Sequence, residues 1–172
     1  MIRADINSFV YRERGGELKI FLVKHGGPTG VNRKIRKTGL FLKNLCLDPV
    51  ETILLFAPCD MARESAKIIN KELKLKNIKK EERLRFNRSS SKYQIMELLF
   101  YFYEAENIII VGNRKEIACT VDVFADMIIP DKLRKDLKVK PFGRGSVYFI
   151  DTFNAGGNME RVKKIFSLSP IK

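Results

Sequence analysis

The chain is poor in the residues that most often do chemistry. It has one histidine, His25, and three cysteines, Cys46, Cys59 and Cys119, in 172 residues. The cysteines are odd in number and widely spaced, with no CxxC pair. Together with a single His this argues against a zinc site, so no metal or other cofactor is expected. Free buried thiols in a reducing compartment are the simplest reading. No uninterrupted apolar stretch opens the chain in the manner of a secretory signal, and no apolar run approaches the length of a membrane span. These absences predict a cytoplasmic protein without a membrane span.

Acidic residues are also scarce against basic ones. Asp and Glu total 20 and Lys and Arg 33, for a net charge of +13. Such a surplus favours anionic partners: a phosphorylated protein, a phosphorylated small molecule, or nucleic acid across a basic surface. The length suits one domain over residues 1–172 with a real core, and 45% hydrophobic residues are ample to fill it.

What is present is a set of short apolar runs closed by Gly or Pro. "ELKIFLVK", "TILLFAP" and "NIIIVGN" read as buried strands that end at His25, at Ala57-Pro58 and at Gly112-Asn113. "INSFVYRE" and "ELKIFLVK" around "RGG" read as a hairpin, as do "GSVYFIDTF" and "MERVKKIFSL" around "NAGGN". "HGGPTGVNRKIRKTG" reads as a basic loop and "LFLKNLCL" as a short helix. After Pro58, Asp60 is placed to cap a helix whose stripe is Ala62, Ala66, Ile69 and Leu73. "KLKNIKKEERLRFNR" reads as a charged surface segment. Ser91 and Gln94 have capping-box spacing before the aromatic-rich "IMELLFYFYEAE". A last helix carries Ile117, Val121, Phe124, Ala125 and Ile128 on one face, up to Pro130.

Strand and helix alternate, which predicts an α/β three-layer sandwich. Its central sheet is mostly parallel, with helices on both faces and antiparallel hairpins at the edges. Ligands of such sheets bind at the carboxyl ends of the strands. If the three apolar strands are neighbours, His25, Pro58 and Asn113 frame one pocket.

In that order and spacing the motifs resemble those of the histidine phosphatase superfamily, the phosphoglycerate-mutase-like proteins, and within it the small SixA-type phosphohistidine phosphatases. The resemblance runs from about Lys19 onward. Where the family's first strand ends in Arg-His-Gly, this chain has Lys24-His25-Gly26. The family's Thr-x-x-Gly segment meets "RKTG", with Gly39 kept and Thr38 beside it. "APCDMARESA" follows the spacing of Ser-Pro-x-x-Arg-Ala-x-x-Thr-Ala, with Pro58, Ala62 and Ala66 matching and Ser65 in place of Thr. The third strand ends in Val111-Gly112-Asn113, where the family has Val-Gly-His.

The resemblance implies a pocket in which one His accepts a phosphoryl group, two Arg clamp its oxygens and a second His assists. His25 would be the acceptor. The first Arg is replaced by Lys24, the second falls on Met61, and Asn113 takes the second-His position. Lys offers a point charge where Arg offers a planar fork. Met offers no charge, and Asn cannot transfer a proton near neutral pH.

Arg33, Arg36, Arg63 and Arg114 are further phosphate-binding candidates. Arg63 lies two residues past Met61, about 200° round a regular helix, and would serve only if the first turn were irregular. The resemblance therefore leads to a phosphate-binding, degenerate phosphatase. The alternatives are an active phosphohistidine or phosphomonoester phosphatase using His25, and a basic polyanion or nucleic-acid binder. The opening hairpin also resembles that of Nudix hydrolases, but their Glu-rich metal helix is missing, and "KEERLRFNR" does not supply it.

Overall fold

A computed structural model of the chain describes residues 18–27, 32–85, 91–102, 104–128, 144–151 and 166–167. The elements in chain order are β1 (Lys19–Lys24), α1 (Asn32–Lys43), β2 (Thr52–Phe56), α2 (Asp60–Leu73), β3 (Asn77–Lys80), a 3₁₀ turn (Glu82–Leu84), α3 (Ser91–Tyr101), β4 (Asn107–Gly112), α4 (Arg114–Ile128), β5 (Val147–Asp151) and β6 (Phe166–Ser167). The six strands form one sheet in the order β3-β2-β4-β1-β5-β6. Four of them, β3, β2, β4 and β1, are mutually parallel; β5 and β6 run antiparallel at one edge.

Burial explains why the apolar runs became the centre. Every residue of β4 is buried, and so are the four inner residues of β1. Strands covered on both faces read as continuous Val/Ile/Leu runs, without alternation. The covering comes from two helix pairs, α1 against α2 and α3 against α4. This is the expected three-layer arrangement. Among the described residues no helix is long and apolar enough to cross a membrane.

The basic segment after His25 differs from the expected loop. From Asn32 it is already helix, and α1 runs on through Gly39 to Lys43. Ile35, Thr38, Gly39 and Leu42 are buried at helical spacing. A Cβ on Gly39 would lie 3.2 Å from the Ile69 Cα and 3.1 Å from the Glu72 side chain of α2. Gly39 is therefore a point of close helix–helix approach, and its presence does not break the helix.

Two smaller readings also change. Cys59 holds the N-cap position of α2 without a side-chain bond, and Asp60 is the first helical residue. The charged segment after α2 contains β3, an edge strand whose four residues are all exposed and which is held by backbone pairing to β2. The second arm of the opening hairpin is the central strand β1; its first arm lies outside the described residues. The side chains of Phe124, Ala125 and Ile128 lie outside them too, whereas Ile117 and Val121 are buried as expected. Of the closing hairpin, β5 is paired antiparallel to β6, and its turn lies outside the described residues.

Candidate functional site: the strand ends around His25

β2, β4 and β1 are neighbours, so their carboxyl ends meet. Backbone bonds continue past the strands and tie the three ends together. The His25 N–H donates to the Gly112 carbonyl at 2.9 Å, and the Ala57 N–H to the Val111 carbonyl at 2.9 Å. Lys24 is level with Gly112 across the β1–β4 pair. His25, Lys24, Pro58 and Asn113 thus stand at one edge of the sheet.

His25 is buried, at 8% exposure. Its Nδ1 lies 2.6 Å from the Gly26 carbonyl oxygen. A carbonyl only accepts, so Nδ1 must carry the proton and donate it. In the neutral ring Nε2 then keeps its lone pair. That is the tautomer a nitrogen nucleophile requires.

The loop behind His25 is fixed from α2. The Gly26 N–H donates to Ser65 Oγ at 2.9 Å, and Ser65 is itself buried. A hydroxyl at this position of α2 therefore holds the His-Gly turn in place.

Asn113 is committed elsewhere. Its Oδ1 accepts from the Lys115 N–H at 2.7 Å and from the Glu116 N–H at 3.3 Å. Its backbone N–H donates to Glu116 Oε2, and its Nδ2 donates to Glu116 Oε1 at 2.7 Å. This is a capping box: Asn113 caps α4, and Glu116 reaches back from the third helical position. Gly112 makes room for the carboxylate, since a Cβ there would lie 2.9 Å from Glu116 Oε2. Glu116 was not among the residues singled out from the sequence, although Asn-x-x-Glu spacing after a strand is the signal for it.

Burial pushes the Glu116 carboxyl above its ordinary value of 4.5, and the Asn113 N–H only partly offsets this. The linkage has a definite sign. As pH rises from the ordinary value through the raised folded one, the unfolded chain loses its proton first. The group's contribution to stability is then full at low pH and is lost through that interval. Urea unfolding of wild type and Glu116→Gln across a pH series checks this. The stability difference, wild type minus variant, should fall as pH rises above 4.5. A flat or rising difference would contradict the assignment.

The arginines singled out from the sequence are dispersed. Arg36 is exposed on α1 and pairs with Glu72 of α2 at 3.1 Å. Arg63 is half-exposed and pairs with Asp60 at 2.9 Å. The first turn of α2 is regular, the Arg63 N–H donating to the Cys59 carbonyl at 3.0 Å. Arg63 therefore stands about 200° round the helix from Met61. Arg33 and Arg114 are exposed, the latter as the first residue of α4. Met61 is 40% exposed in the first turn of α2.

One arginine absent from that group does reach the loop. Arg144 precedes β5, and its guanidinium covers Gly27. A Cβ at Gly27 would fall within 3.0 Å of both terminal nitrogens and the carbon between them. Nothing in the local sequence of Arg144 signals this, because the contact joins opposite ends of the chain.

No protein-family model matches the chain, and no curated protein sequence does. Solved structures do match. The phosphoglycerate mutase of Plasmodium falciparum superposes with a TM-score of 0.58 at 18% identity, over 80% of this chain and 85% of that one. A SixA described as a phosphohistidine phosphatase, from Agrobacterium tumefaciens, gives 0.55 at 13% identity, over 78% and 91%. The protein histidine phosphatase SixA complexed with tungstate gives 0.57 at 12% identity, over 77% and 86%. The chain has the histidine phosphatase fold. The match excludes the Nudix architecture weighed from the opening hairpin. Within the histidine phosphatase fold, His25 stands just past the end of the central strand β1.

Proposed function

We propose that this protein binds the phosphoryl group of a phosphorylated protein or small molecule at the His25 loop, with little or no turnover. The observation that carries this reading is the state of Asn113. The residue at the second-His position is consumed as a helix cap, with Oδ1 and one amide hydrogen engaged. It has no proton to give a leaving group near neutral pH. Met61, at the position of the second clamping Arg, adds no charge. Loss of one preorganised donor commonly lowers a rate by about a hundred- to a thousandfold.

A second reading, an active phosphatase, is favoured by one observation: the Nδ1 contact to Gly26 leaves the lone pair of the neutral ring on Nε2. In that reading the Nε2 lone pair forms a bond to phosphorus as the bond to the leaving group breaks, and water then releases phosphate from His25. A phosphohistidine suits this best, because its leaving nitrogen needs less acid assistance than an alkoxide does.

Two measurements test these readings together. One is a crystal soak with tungstate; the other is turnover of a phosphohistidine peptide and of p-nitrophenyl phosphate. The first reading expects tungstate beside His25 and turnover at least about a hundredfold below that of SixA assayed alongside. Turnover near that of SixA, abolished in His25→Ala, would favour the second reading. Tungstate absent from the His25 loop would overturn both.

A further inference from the structure

We infer that Arg144 is a phosphate-clamping residue of this site, brought to the His25 loop by a β-bulge ahead of β5. The inference rests on the phosphate-binding reading above and names one of the groups that would do the binding.

Gly145 is the only described glycine with positive φ, at +76°, a region open to glycine at little cost. Its N–H donates to the Lys24 carbonyl at 3.0 Å, while the Lys24 N–H donates to the Ser146 carbonyl at 3.1 Å. Two residues of the β5 side thus oppose one residue of β1. With a left-handed glycine first, this is the glycine-type bulge, a device that bends a strand and re-aims the side chains around it.

The bulge is pinned. Thr38 of α1 donates through Oγ1 to the Gly145 carbonyl at 2.6 Å and is itself buried. A Cβ at Gly145 would meet that same Oγ1 at 3.2 Å. The turn therefore has one position, set by α1 and β1 together. Arg144 immediately precedes it.

From there the guanidinium lies over Gly27, two residues past His25. Gly27 admits it because it has no side chain. The loop His25-Gly26-Gly27 is thus held by Ser65 of α2 and overlaid at Gly27 by Arg144 from the turn before β5. Among the described residues Arg144 makes no ion pair, whereas Arg36, Arg63, Arg83 and Arg85 each have a carboxylate partner. An arginine fork with no carboxylate partner among the described residues, lying over the loop that follows a buried His, suits the oxygens of a phosphoryl group.

Four variants, each tested by calorimetric titration with tungstate and with inorganic phosphate, decide this. Arg144→Gln should weaken binding at least tenfold. Arg144→Lys should fall between Gln and wild type, since it keeps the charge and loses the fork. Gly27→Ala should weaken binding while keeping every charge, because the added Cβ displaces the guanidinium. Lys43→Gln, at the far end of α1, removes one positive charge remote from the strand ends and should stay within twofold. Arg144→Gln within twofold of wild type would overturn the role of Arg144 and leave the phosphate-binding reading standing. Equal losses in Arg144→Gln and Lys43→Gln would reduce the effect to net charge and also overturn it. Failure of the wild-type protein to bind either anion would overturn the phosphate-binding reading itself.

Discussion

Replacing Met61 by Arg and Asn113 by His together is expected to raise kcat/KM on a phosphohistidine peptide by at least about a hundredfold. The Arg would return a fork to the start of α2. The His would return a group able to pass a proton at the end of β4. The two gains need not multiply, because groups that act on one transferred phosphoryl behave as a unit. Asn113→His also has a structural cost. It removes the Oδ1 that accepts from Lys115 and Glu116, and losing such a cap costs about 1 kcal/mol. The double variant should therefore be slightly less stable and much faster. A folded variant with unchanged turnover would mean that Met61 and Asn113 do not face the phosphoryl group, and the account of this site as a degenerate one would fail.

The largest expected stability effect lies in the central strand. Leu22 is fully buried in β1, between β4 and β5. Leu22→Ala removes its contacts on a strand locked on both sides, where the cavity cannot collapse. Losses of about 2–5 kcal/mol are typical of such sites. At this chain length that corresponds to a fall of roughly 5–15 °C in Tm. Ile78 is also an aliphatic residue in a parallel strand, but it is 37% exposed on the edge strand β3. Ile78→Ala should change stability by no more than about 0.5 kcal/mol. Urea denaturation of both variants checks the contrast, and similar losses at the two sites would contradict the strand order described.

Much of the fold was legible because burial on two faces leaves a strong imprint. β1, β2 and β4 are apolar runs ended by His-Gly, Pro and Gly-Asn, and helices between them must cross over the sheet. The stripe of α2 was equally plain. α1 was not, because its buried face is built partly from Thr38 and Gly39, which carry no hydrophobic period. β3 was not, because an exposed edge strand of Asn-Ile-Lys-Lys is held by backbone pairing, which is indifferent to side chains.

For the site, composition and motif order led to the expectation of His25 as the candidate nucleophile, with Lys24, Met61 and Asn113 at altered positions of the resemblance. Those are properties of residue type at a position in the chain. Tertiary structure decided the rest. The tautomer of His25 depends on a carbonyl that the turn after β1 brings to Nδ1. The engagement of Asn113 depends on Glu116 folding back in the first turn of α4. Arg63 was near in sequence and is engaged with Asp60, whereas Arg144 was remote and arrives through a bulge pinned by Thr38. Charge is set by the sequence, but which charge reaches the His25 loop is set by strand order and one glycine at positive φ.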